Sequence, residues 1–136
     1  MATRRPQTKA ERKRMRRKHR AQYVAIAKRY TPKGVRVVYV PYKKGRRMIG
    51  WAYAGLKEIH VPRPVSSWKL KTYLHEVGHI VLRGTHAPRM MEYDVERSAL
   101  EVMKKEGIPL PWEARPWRPA YRKAYDAVFG PTNQSV

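Results

Sequence analysis

The chain contains no cysteine. Disulfides and thiolate metal ligands are therefore excluded, which leaves histidine and carboxylate as the good ligands. Acidic residues are scarce: ten Asp and Glu stand against 31 Lys and Arg, for a formal net charge of +21. No apolar run approaches the roughly 18 residues that a membrane-crossing helix needs. No charged n-region leads into an apolar h-region either, so export is not expected and a cytoplasmic location is. The Arg-rich start is too poor in serine for an organellar transit peptide. At 136 residues there is room for one domain with a modest core and a tail or two.

The positive charge is unevenly placed. Residues 1–57 carry nineteen Lys/Arg and one acid (Glu11), net +18; residues 58–136 carry twelve and nine, net +3, and the two sum to +21. The densest part is the arm Arg12, Lys13, Arg14, Arg16, Arg17, Lys18 and Arg20, with His19 inside it. Such an arm attracts polyanions, of which nucleic acid is the most abundant, through phosphates and with little sequence preference. A solvated tail with no dedicated partner is the competing reading.

The pattern divides the chain into a basic arm and helix over 1–30, a core over 31–110, and a Trp/Pro-rich segment with a last helix over 111–136. Thr8-x-x-Glu11 is a capping box opening a helix to about Tyr30. Tyr23, Ile26, Ala27 and Tyr30 form an apolar stripe on its second half only. Val35 to Tyr42 reads as a strand, Lys43 to Arg47 as a hairpin turn and Met48 to Ala54 as the returning strand. Glu58 to Val61 is a third. A helix capped by Ser66 or Ser67 runs to about Arg83-Gly84, and another spans about Met91 to Glu106. Tyr121, Ala124, Tyr125 and Val128 carry helical spacing and predict a final helix packed on the core. Trp112 and Trp117, beside Arg115 and Arg118, read either as base-stacking residues or as a cover for a small core.

The sharpest signal is His75-Glu76-Val77-Gly78-His79. On a helix, at about 100° per residue, the two histidines lie roughly 40° apart and reach one ion. Glu76 falls about 60° beyond His79, where it polarises a metal-bound water without being a ligand. The apolar residues Leu70, Tyr73, Leu74, Val77, Ile80 and Val81 lie on another side, so one helix face is left for a core. Gly78 costs about 1 kcal/mol against alanine in a helix. It reads either as room for a neighbouring strand or as a tolerated defect.

A catalytic zinc takes three protein ligands and a water. On the helix from Met91, the inward stripe is Val95, Ser98, Ala99, Val102 and Met103. Glu92 lies roughly 50° and Glu96 roughly 90° from its centre, whereas Asp94 and Glu101 point away. Glu92 is the candidate ligand, and Glu96 the acceptor of an Nδ1–H from a ligating imidazole. Surface pairing with Arg89 or Arg97 is the bland alternative. His86, just past the end of the H-E-x-x-H helix, is the rival ligand. His60 reads as structural.

The stretch Thr72 to Leu82, followed by Glu92-Tyr93-Asp94-Val95-Glu96-Arg97-Ser98-Ala99-Leu100, resembles the ImmA/IrrE-type metallopeptidases within the gluzincins. The likeness covers about residues 35–107, with Arg83 and Asp94-Val95 departing from the usual pattern. It implies an α+β fold: a small zincin-like domain whose three-stranded sheet packs on the H-E-x-x-H helix and a glutamate-bearing helix. It also implies Zn2+ on His75, His79 and Glu92, peptide hydrolysis with Glu76 as general base, and a repressor-type regulatory protein as substrate. Some members of that family occur in phages and mobile elements. Tyr93, His86 and Arg97 are candidates, unranked, for stabilising an oxyanion. A sheet edge among residues 48–61 would hold the peptide. The other class of function is a basic nucleic-acid-binding or structural protein on the same scaffold, without protease activity.

Overall fold

The computed structural model describes residues 7–41, 50–84, 90–110 and 118–130. The basic turn at 43–47, His86, Trp112 and Trp117 lie outside these residues. Four helices and one small mixed sheet make up the described fold, which is α+β.

Helix α1 (Lys9–Tyr30) begins where Thr8 and Glu11 close a reciprocal capping box, satisfying backbone donors that the first turn leaves unpaired. Its first half is exposed, and its second half inserts Ile26 and Ala27 into the core with Tyr23 and Tyr30 beside them. The thirteen residues at its start hold no apolar face, so only the end of the helix has a reason to dock.

Strands β1 (Arg36–Tyr39), β2 (Trp51–Tyr53) and β3 (Glu58–Val61) form a sheet in the order β1-β3-β2. The expected hairpin between the first two strands is not the pairing observed. β1 runs parallel to β3, with Val37 opposite Ile59, and β2 runs antiparallel to β3, with Ala52 opposite Ile59. The tight connection lies one step later. A 3-10 turn (Ala54–Leu56) and Lys57, held at φ 49°, reverse the chain from β2 into β3. Burial decides the order, because Ile59 and Val61 are fully buried and belong in the centre, while β1 and β2 are half exposed.

Helix α2 (Ser67–Val81) is capped by Ser66, whose hydroxyl accepts from the Lys69 N–H. Helix α3 (Met91–Lys105) packs across it, and helix α4 (Pro119–Phe129) packs on α3. Pro119 starts α4, where a missing N–H costs nothing. Lys104 donates to the Val128 carbonyl at 2.9 Å and Tyr125 to the Leu110 carbonyl at 2.7 Å, pinning α4 down.

The α2–α3 crossing explains Gly78. A Cβ there would stand 2.9 Å from Val95 Cγ1, so the close neighbour is a helix and not the strand considered from sequence. Among the described residues, no helix is long and apolar enough to cross a membrane.

Candidate metal centre

Helix α2 brings His75 and His79 to one side, as the i, i+4 spacing requires, and α3 crosses so that Glu92 faces both. Glu92 Oε2 lies 3.1 Å from His75 Nε2, and Glu92 Oε1 lies 3.3 Å from His79 Nε2. The three residues offer ligand atoms that all lie within 4.8 Å of one another. A zinc tetrahedron with bonds of about 2.0–2.1 Å has edges of roughly 3.3 Å. Each separation, to a different Glu92 oxygen, is close to that edge. The donor set of two imidazoles and one carboxylate also suits zinc and needs no thiolate.

Glu96, one turn after Glu92, holds the opposite side of the His75 ring. Its Oε1 accepts from His75 Nδ1 at 2.9 Å. With that proton committed to Glu96, Nε2 is the nitrogen left to bind a metal. Glu96 is fully buried, and Lys71 Nζ donates to it at 3.1 and 3.3 Å. Lys71 itself is buried, with its ammonium 5.0 Å from the Trp68 ring centroid and 5.3 Å from that of Tyr121. The two glutamates thus exchange the depths that the helical wheel gives them. Glu92 keeps 42% of its side chain exposed, whereas Glu96 has none. Leu100 joins the buried stripe of α3 and moves its centre close to both glutamates, and Glu92 stays half exposed because it stands in the first turn, at the cleft.

The charges act on one another strongly. Burial works against a charged His75, but the carboxylates of Glu92 and Glu96 outweigh it and push the imidazole up to about 9. Hydrogen bonds from His75 and His79 hold Glu92 far below the ordinary carboxylate range. Burial opposes the Glu96 charge, and contacts with His75 and Lys71 overcome it, lowering the group.

Glu76 is 7% exposed, and burial raises its pKa above the ordinary value even though His75 and His79 oppose the shift. Among the described residues none hydrogen-bonds its carboxylate. Gly50 makes room for it, since a Cβ at Gly50 would stand 3.2 Å from Glu76 Cγ. His75, Glu76, His79 and Glu92 line one open cleft of about 650 Å³, together with Gly50, Trp51 and Ala52 of the sheet side.

Two of the expected oxyanion candidates do not reach this cleft. Arg97 is exposed and pairs with Glu101 at 2.9 Å on the outer side of α3. Its guanidinium also donates to the Tyr93 hydroxyl at 3.5 Å, so Tyr93 points outward too, its ring resting against the core. At i+1 and i+5 from Glu92, neither shares its face.

The residue that sequence reasoning missed is Tyr121. Its spacing predicts core packing, but its hydroxyl donates to Glu92 Oε2 at 2.9 Å and lies 3.5 Å from His75 Nε2. Burial and the Glu92 carboxylate raise its pKa well above the usual phenol value. Arg118 donates to the same hydroxyl at 3.2 Å, and both residues line the cleft. No local signal marks Tyr121, because α4 meets the site only through its packing on α3. Lys71 did leave a signal, standing four positions before His75 on the same helical face.

Comparison of the chain with protein-family models, curated proteins and solved structures found no match.

Proposed function

We propose that the chain is a zinc-dependent metallo-endopeptidase of zincin-like architecture, acting on an intracellular regulatory protein. The observation that carries this reading is the convergence of His75, His79 and Glu92, whose ligand atoms lie within 4.8 Å of one another, beside a buried Glu76 whose carboxylate no described residue hydrogen-bonds. His75, His79 and Glu92 would hold the metal. Zinc there supplies a Lewis acid that acidifies a water and polarises a peptide carbonyl.

Every other part falls to the chain itself. Glu96 fixes the His75 ring and its tautomer through the 2.9 Å contact to Nδ1. Glu76, with a carboxylate that burial makes more basic, takes the proton from the attacking water and returns it to the leaving amine. The Arg118 guanidinium on the cleft wall is a donor to an oxyanion, and the Tyr121 hydroxyl beside it becomes one when its single proton turns from Glu92. These two replace Tyr93 and Arg97 in that role. β2 pairs with β3 on one side, and no described strand covers its other side. An extended peptide added along that edge would run past Trp51 and Ala52, which line the same cleft.

The test is zinc content together with hydrolysis of a mixed peptide library by the wild type and by Glu76→Gln. The expected result is one zinc per chain in both and hydrolysis in the wild type alone. Equal hydrolysis by Glu76→Gln overturns the mechanism. Zinc without hydrolysis in either protein supports instead a binding protein on this scaffold.

A further inference from the structure

The strongest feature that the metal centre leaves unused is the first half of α1. Residues 9–20 carry eight Lys/Arg and one acid, and every Lys and Arg among them is exposed. They are ordered as helix from the first turn, because the Thr8–Glu11 box closes it, and Glu11 is committed there. The far end is anchored. Ile26 and Ala27 are buried, the Thr31 hydroxyl donates to the Ala27 carbonyl and contacts the Tyr73 hydroxyl of α2, and Arg29 pairs with Glu106 at 2.8 Å. The result is a cationic rod of roughly 18 Å standing off the core on a fixed base.

The distribution of charge around this rod selects its partner. On the helical wheel, Arg16 and Arg20 centre about 160° away from Arg14 and Lys18, with Lys9, Arg12, Lys13 and Arg17 between or beside them. The remaining sector carries Glu11, Met15, His19 and Gln22, and Met15 is its one large apolar residue. A helix that lies on a lipid surface needs an apolar face opposite its cations. This one has none. A cation shell on opposite sides suits a partner with anions on both sides of the rod. The major groove of B-form DNA is roughly 12 Å wide, admits one α-helix and is walled by phosphates on both flanks. The major groove of an RNA duplex is too narrow and deep for side chains to enter.

We propose that residues 9–20 form a binding element for B-form duplex DNA, seated in the major groove and held by phosphates on both walls, without base-specific contacts. The inference does not depend on peptidase activity. It makes the arm a device that concentrates the cleft near DNA, since α1 and the α2 helix of the cleft share one core.

Fluorescence anisotropy of the full chain on a 20-base-pair DNA duplex tests it, with Arg14→Gln/Lys18→Gln and Arg16→Gln/Arg20→Gln as paired variants. Circular dichroism checks that both keep their helix, which glutamine favours. Either pair should weaken binding on the order of tenfold or more at 0.1 M salt. Each should also make the slope of log affinity against log salt shallower by roughly 1.8, at about 0.9 per lost phosphate contact. The same-sequence RNA duplex should bind more weakly than DNA, and vesicles of phosphatidylserine and phosphatidylcholine more weakly still. An effect confined to one pair overturns the groove geometry. Equal or tighter binding of the RNA duplex or of the vesicles overturns the choice of partner.

Discussion

At the scale of single residues, the centre is organised around His75, whose two nitrogens face two glutamates from one helix. The roles of those glutamates are separable by substitution. On the proposed reading Glu92→Ala removes a ligand, so equilibrium dialysis should find zinc retention lost or severely weakened. Glu96→Gln leaves the ligands in place but loosens the ring, and zinc affinity should drop about 10- to 100-fold. Unchanged affinity in Glu96→Gln would mean that the carboxylate charge is not needed to hold the ring. Glu76→Gln should keep zinc and lower hydrolysis by about 100-fold or more, the usual yield of general-base catalysis. Tyr121→Phe keeps the ring contacts and loses only the hydroxyl that reaches Glu92.

At the scale of elements, the contact between α2 and α3 decides whether the centre assembles. Gly78 lets the helices approach, and a methyl group there meets Val95 at 2.9 Å. Gly78→Ala gains about 1 kcal/mol of helix propensity. Overpacking costs about 1–3 kcal/mol, so the variant should come out net destabilised in urea denaturation, and Val95→Ala in the same chain should restore much of the loss. The same crossing buries the Lys71–Glu96 pair, whose side chains are 8% and 1% exposed. Removing Glu96 leaves the buried Lys71 ammonium without its carboxylate, at about 3–5 kcal/mol, whereas removing Lys71 costs less because Glu96 keeps the His75 ring. Lys71→Met/Glu96→Gln together should lose less than the sum of the two single changes; additivity would show that the pair is not coupled.

At the scale of the whole molecule, one core joins the base of α1, the sheet, α2, α3 and α4. Metal bound at the α2–α3 crossing should stabilise all of it, because the ligands converge only in the folded chain. At zinc concentrations about 100 times Kd the gain is about 2.7 kcal/mol, read as a rise in Tm that a chelator reverses. Glu92→Ala should show little of that rise. α4 belongs to this scale as well, since it reaches the centre through Tyr121 while Ala124, Tyr125 and Val128 of the same stripe hold it to the core.

Spacing along one helix was enough to identify His75, Glu76 and His79 as a set, because the period of the α-helix alone puts them together. The capping box, a serine cap at 66 or 67 and the half-docked character of α1 were legible for the same reason, being local hydrogen bonds and stripes. Glu92 and Glu96 could be nominated from their wheel positions, but their depths could not. The stripe's true centre depends on what α3 packs against. The strand order, the neighbour of Gly78 and the exclusion of Tyr93 and Arg97 from the cleft were likewise decided by packing between distant segments. Tyr121 is the clearest case, lying 46 positions from the histidine it approaches. Sequence determined the local periodicities and the charge; only the tertiary structure decided which faces meet, because that depends on burying surfaces that no single element possesses.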